Sequence, residues 1–193
     1  LRGWGQRFYL DGERYQDSAG IDAGWRWQAT ARTGVQLSAQ YSRMTYPDQP
    51  LRDSALWLAG LGATHLLRSG SPTRLSAHLF GGREDADEDT DAAEAIAERD
   101  LYEAGVGWDT RLGDAWSLGL QALAFQSEYD APNTLFGKAR DETQYQAEVH
   151  LDWEPAERWR LGPRLRYSRR DSNIDLYEYD RLRAELRIRY GTF

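Results

Sequence analysis

The stretch Leu182-Arg183-Ala184-Glu185-Leu186-Arg187-Ile188-Arg189-Tyr190 places an apolar residue at every even position and a charged one at every odd position. Successive side chains of an extended chain point to opposite faces. One face therefore holds Leu182, Ala184, Leu186, Ile188 and Tyr190, and the other holds Arg183, Glu185, Arg187 and Arg189. A helical period of 3.6 would spread both kinds of residue around the cylinder, so the spacing predicts a β-strand whose two faces meet different surroundings.

Working back along the chain, the same period recurs. Trp159, Leu161, Pro163, Leu165 and Tyr167 oppose Arg158, Arg160, Arg164, Arg166 and Ser168, and Tyr145, Ala147, Val149, Leu151 and Trp153 oppose Gln144, Gln146, Glu148, His150 and Asp152. Similar alternation runs through Tyr102 to Asp109, Val35 to Ser42 and Ile21 to Gln28. It is weaker over 55–66, 73–84 and 115–129, and in the last of these a blurred phase at Ala122 to Phe125 suggests a bulge. With a strand from Trp4 to Leu10, about ten strands are expected. Asp11-Gly12 is a two-residue hairpin signal that bears on that count. Helical spacing is sustained only around Asp91 to Arg99.

The connections alternate in length. Short turns are expected at Ala31 to Gly34, Arg68 to Pro72, Gly113 to Ala115 and Glu154 to Glu157. Longer links fall at Pro47 to Asp53, Glu84 to Arg99, Asp130 to Glu142 and Asp171 to Tyr177. Trp25, Trp27, Trp108, Trp116, Trp153 and Trp159 lie near short turns, and Tyr46, Tyr102, Tyr129, Tyr145 and Tyr167 lie toward the long links. Alternating loops and two aromatic belts are features of membrane barrels. The fold class expected is all-β, an antiparallel up-and-down transmembrane β-barrel of about ten strands or a portion of a larger barrel, with residues 1–193 as a single outer-membrane domain. A soluble β-sandwich binding carbohydrate through aromatic residues is the competing fold, since alternation alone fits both.

Composition sets outer limits. The chain has 193 residues and no cysteine, which removes disulfides and cysteine-based metal or redox sites. Its longest apolar run, about Ala55 to Ala63, is short of the roughly 20 residues a spanning helix requires. A net charge of −7 disfavours nucleic acid as a partner. The negative mean hydropathy does not argue against a barrel, whose strands hide their apolar half in alternation. No charged-then-apolar segment precedes Leu1, so the chain is read as a mature product or a fragment.

Charge on the polar faces defines the candidate site. Arg158, Arg160, Arg164, Arg166, Arg183, Arg187 and Arg189 share adjacent strands with Glu148, Asp152 and Glu185, and Glu103 and Asp109 are further partners. Buried charge needs such partners or water. This lumen ladder is read as a salt-bridged plug in preference to a substrate track. No catalytic group is expected, because His65, His78 and His150 have no convincing nucleophile or acid nearby. No metal and no cofactor are expected either. The acidic run from Glu84 to Asp91 lacks a calcium-loop pattern and reads as a solvated outside loop. Arg43 reads as a snorkelling side chain, and Asn173 as a turn residue.

Gly162-Pro163-Arg164-Leu165-Arg166-Tyr167, the run from Asp171 to Arg181, and the alternating strand closing on Phe193 resemble the end of the barrel in the surface lipoprotein assembly modifier family and related tetratricopeptide-linked outer-membrane barrels. Phe136-Gly137 with Arg140-Asp141 is similar to the same pattern, and the resemblance covers mainly residues 135–193. It implies a Gram-negative outer membrane, contact with its lipid, and a transport or translocation role akin to surface lipoprotein export. It further implies insertion by the barrel assembly machinery through Leu186, Ile188, Tyr190 and Phe193, and partnership with a lipoprotein substrate or a periplasmic repeat domain. This chain departs from the family in having no helical-repeat region and fewer strands, and Phe193 falls out of phase with Tyr190. A closed structural or partner-binding barrel is the alternative.

Extraction tests the fold class. A barrel stays in the detergent fraction and shows a heat-modifiable gel shift, whereas solubility without detergent and no shift would favour the sandwich.

Overall fold

Ten antiparallel strands join in chain order into one sheet, each hydrogen-bonded to the strand before and after it in sequence. They are β1 (Arg2–Leu10), β2 (Glu13–Gln28), β3 (Thr33–Thr45), β4 (Ser54–Leu66), β5 (Arg74–Ala86), β6 (Arg99–Leu112), β7 (Trp116–Pro132), β8 (Ala139–Ala156), β9 (Trp159–Ser172) and β10 (Tyr179–Tyr190). A single helix, α1 (Asp91–Ala97), interrupts the link from β5 to β6. This is a computed structural model that describes residues 1–67 and 72–191. Phe193, and the Arg68 to Ser71 part of the expected Arg68 to Pro72 turn, lie outside the described residues.

The Asp11-Gly12 signal is realised as the β1–β2 turn, with positive φ at both residues (53° and 88°) as a type I′ hairpin requires. It leaves the strand count at ten because β2 runs without a break from Glu13 to Gln28. The expected bulge at Ala122 to Phe125 is absent. These residues pair one for one with Glu103 to Val106, and the phase blurs because Leu123 and Phe125 point to the polar side. Shifts in register occur instead at Phe8/Tyr9, Glu128/Pro132 and Trp153/Ala156.

Directly paired residues of antiparallel strands share a face, so the register assigns sides. Leu37, Leu61, Leu79 and Ala104 form one row, and Trp108, Leu120, Val149 and Leu165 another. This outer face is apolar and exposed. The opposite, inner face is polar, and it is where burial occurs: Ser42, Ser54, Glu84, Ser127, Glu142, Glu148 and Ser168 are buried, while Trp25, Trp57, Leu79, Val106, Leu165 and Ile188 are exposed. A water-soluble fold inverts that order. Outer apolar runs such as Tyr145 to Trp153, Trp159 to Tyr167 and Leu182 to Tyr190 have the length of about 9–11 residues that a tilted strand needs to cross hydrocarbon.

The tryptophans near short turns face outward, and most of them meet another aromatic ring. Trp116 stacks on Trp153 at 5.7 Å and Trp25 on Trp27 at 6.4 Å, and Trp159 meets Tyr190 at 4.9 Å. At the long-link end Tyr102, Tyr145 and Tyr167 are exposed on the outer face. Two expected belt members are elsewhere. Tyr129 is on the inner face opposite Arg99 and buried, and Tyr46 lies past β3 beneath the guanidinium of Arg52.

Among the described residues β1 and β10 each pair with one strand, so each carries an open edge.

Val106, mid-strand and 61% exposed on the outer face, gives a direct test of the solvent there. In a lipid-facing position Val106→Arg costs about 2–4 kcal/mol, whereas Gln121→Arg on the inner face costs little. Denaturant unfolding in detergent or lipid checks the contrast, and equal tolerance at both positions would remove the lipid assignment.

Candidate functional site on the charged inner face

Three strands bring the sequence-predicted charges together unevenly. Glu148 of β8 is the hub, with its side chain almost wholly buried. Arg166 on β9 donates to it from Nε at 2.8 Å and from Nη2 at 2.6 Å, and Arg164 reaches its other oxygen at 3.0 Å. Register explains the geometry, since Glu148 is directly opposite Arg166 while His150 faces Arg164. The His150 ring stands 3.8 Å from Glu148 and 3.8 Å from Asp109. A carboxylate removed from water to this degree is stable only because two guanidinium groups satisfy it.

The other expected members are placed differently. Arg160 donates to Glu154 at 2.9 Å, and Arg183 approaches Glu185 of its own strand at 3.5 Å. Arg158 is in the β8–β9 turn and not on the strand face, so it is no rung of the ladder. Asp152, Arg187 and Arg189 are on the inner face without an ion pair among the described residues. The Asp152 carboxylate leans over Gly162, in the space a side chain there would occupy. Glu103 and Asp109 serve closer partners, His78 at 2.9 Å and Arg74 at 3.2 Å.

A second cluster, which sequence reasoning missed, lies at the long-link end. Glu84 is a buried β5 residue and not part of a solvated loop, and the half-exposed Asp85 also belongs to that strand. Arg99 donates to Glu84 at 2.8 Å and to the Tyr129 hydroxyl at 2.6 Å, and Ser54 donates to Glu84 at 2.7 Å. Arg140 lies over the rings of Tyr129 at 3.8 Å and Tyr177 at 4.3 Å, a desolvated cation–π sandwich. The α1 helix docks beside this cluster through Ala93, Ala95 and Ala97, all buried, with Thr90 as its N-cap. The signal was available in the phase of the sequence: Glu84, Arg99 and Tyr129 share the inner parity of their strands.

On the outer face at the same end, Arg43 pairs with Asp87 at 2.6 Å, and Arg83 pairs with Asp85 at 2.7 Å and Asp130 at 2.6 Å. Arg43 is thus half of an ion pair at the rim. Asn173 ties the β9–β10 link to β8, accepting from the Asp141 amide at 3.0 Å and donating to the Ala139 carbonyl at 2.7 Å, without adopting a left-handed backbone. The Glu84 to Asp91 run forms no metal-holding group among the described residues.

An antiparallel sheet with apolar residues outside, aromatic pairs near the short turns and an ionic inner face is the architecture of outer-membrane barrels. A solved structure shares the fold. The outer membrane channel DcaP of Acinetobacter baumannii superposes with a TM-score of 0.59 at 14% identity, over 97% of this chain and 53% of the channel. The chain therefore spans about half of that channel's length. The copper transporter OprC aligns at a TM-score of 0.48 and 16% identity, over 91% of this chain and 33% of its own. No match was found among curated proteins. The model of the surface lipoprotein assembly modifier family matches residues 4–189, and the chain belongs to that family.

Glu148→Ala leaves Arg164 and Arg166 without their shared carboxylate and is expected to lower stability by about 3 kcal/mol. Glu148→Gln keeps one acceptor and falls between that variant and the parent. The temperature of the gel-shift transition reads both, and a wild-type value for Glu148→Ala would show that the hub is not structural.

Proposed function

We propose that the chain is the membrane-embedded wall of a Gram-negative outer-membrane translocation barrel that acts in surface lipoprotein export. The family match over residues 4–189 carries this reading. The inverted burial pattern supports the membrane location, because exposed Val106, Leu165 and Ile188 are stable against hydrocarbon and not against water.

In this reading the ten strands form a continuous arc, and the open edges of β1 and β10 are met within a closed barrel, since lipid offers no partner to their backbone groups. Partners consistent with it are outer-membrane lipid, the barrel assembly machinery acting on the β10 end, a lipoprotein substrate, and a periplasmic repeat domain. The inner face binds and guides rather than catalyses. The second reading, a closed partner-binding barrel, is favoured by one observation: α1 and the Glu84–Arg99–Tyr129 cluster fill the long-link end.

Deleting the protein is expected to remove at least one lipoprotein from the cell surface while leaving its cellular amount unchanged, as read by protease accessibility on intact cells. Unaltered accessibility across the outer-membrane lipoproteins would defeat the export role.

A further inference from the structure

The inner face of β1 to β4 carries an uncharged concavity of about 390 Å³ toward the long-link end, a volume within the range of small-molecule sites. Its lining combines three aromatic rings, Trp4, Phe8 and Tyr15, with the amides of Gln6, Gln16 and Gln40, and includes no charged side chain. Register brings these groups together. Trp4, Gln6 and Phe8 alternate along β1 opposite Gly20, Ser18 and Gln16 of β2, and Gln40 of β3 stands against Asp22 on the far side of β2. The rings are fixed by the protein itself. The Trp4 indole donates to Asp22 at 3.2 Å and lies over Gly20, where a Cβ would stand 2.8 Å from it. Tyr15 makes edge-to-face pairs with Phe8 at 5.9 Å and Tyr46 at 5.7 Å, and its hydroxyl accepts from Arg52 at 2.7 Å. Rings held in this way cost little further ordering when a ligand arrives.

We propose that this cavity is a binding site for a neutral saccharide, with Trp4 as the platform under a sugar ring and the three glutamine amides on its hydroxyls. A sugar ring has C–H faces that stack on an aromatic ring, and a rim of hydroxyls that call for donors and acceptors together. Each glutamine amide supplies both. A purely apolar ligand would displace water from the amides and leave them without partners. An ionised ligand would meet no counter-charge in the lining. A Gly/Ser peptide shares the hydrogen-bonding groups but has no C–H face to set against the indole. The site goes beyond the export reading, since it lies on β1 to β4 and uses none of the Glu148 cluster on β8 and β9.

The protein, extracted from the outer membrane into an amine-oxide detergent that carries no sugar, is titrated by calorimetry with maltotriose, cellotriose and chitotriose. At least one of these neutral trisaccharides is expected to bind with one-to-one stoichiometry. Trp4→Ala is expected to weaken that binding at least tenfold, and Trp4→Phe, which keeps an aromatic face, to recover part of it. Gln40→Ala is expected to weaken it several-fold and keeps the test decisive where Trp4→Ala fails to fold, a retained heat-modifiable gel shift being the sign of folding. Gln121→Ala, on the inner face of β7 and outside the cavity, is expected to leave it unchanged. Binding of none of the three sugars, equal affinity in folded Trp4→Ala or Gln40→Ala, an equal loss in Gln121→Ala, or tighter binding of a (Gly-Ser)3 peptide would overturn the proposal. Because binding is read on the purified protein, its failure is distinct from a failure of lipoprotein display on cells.

Discussion

A strand that crosses hydrocarbon must satisfy its backbone through its neighbours and must turn only apolar side chains toward lipid. Most other features of this chain follow from that double requirement. The backbone condition produces the uninterrupted order from β1 to β10, each strand laddered to the next. The side-chain condition fixes register, because a slip of one residue would turn Arg164, Arg166 and Glu148 into lipid and bring Leu165 and Val149 inside. Bulges are tolerated only toward strand ends, at Glu128/Pro132 and Trp153/Ala156, where the chain leaves the apolar band.

The strands with strict alternation were legible from sequence because each residue answers to one face. β8, β9 and β10 are of this kind, and their outer rows match the expected ones residue for residue. The weak segments, now β4, β5 and β7, have a physical cause. Leu56 and Leu58, Phe80, and Leu123 and Phe125 point inward, so apolar residues occupy both faces and the period-two signal cancels. Glycine makes room for such groups: a Cβ at Gly60 would overlap the ring of Phe80, and one at Gly105 the imidazole of His78. Pairings of that sort depend on which strand is the neighbour and at what register, information no single stretch of sequence carries.

The charge ladder was legible as composition and not as partnership. Sequence gave Glu148, Asp152 and Glu185 equal standing as counter-ions. Register separates them, placing Glu148 directly opposite Arg166 and Glu185 opposite Arg164, whereas Asp152 is displaced toward Gly162. Arg158 failed as a rung for a similar reason, since the β8–β9 link turns at Glu157 and Arg158 and takes that side chain off the face. The acidic run beginning at Glu84 was misread because it straddles a boundary. Its first residues extend β5, and only after Ala86 does the chain leave the sheet.

The two ends of the inner face therefore obey different electrostatics. At the long-link end, Glu84 has Ser54 and Arg99, Arg99 also has Tyr129, and Arg140 is held between two aromatic rings, so the charges are matched within a buried, helix-capped layer. Matched buried networks rigidify and close space. Toward β10 the inward arginines outnumber that strand's inward carboxylate, and Arg187 and Arg189 have no ion pair among the described residues. A guanidinium without a carboxylate partner needs water or a counter-ion beside it. Arg160 and Arg166 each have a carboxylate on the β8 side, Glu154 and Glu148, and an arginine on the β10 side, Arg189 and Arg183. Register thus leaves the β9–β10 side richer in arginine, while the long-link end brings Glu84, Arg99 and Tyr129 into one bonded cluster.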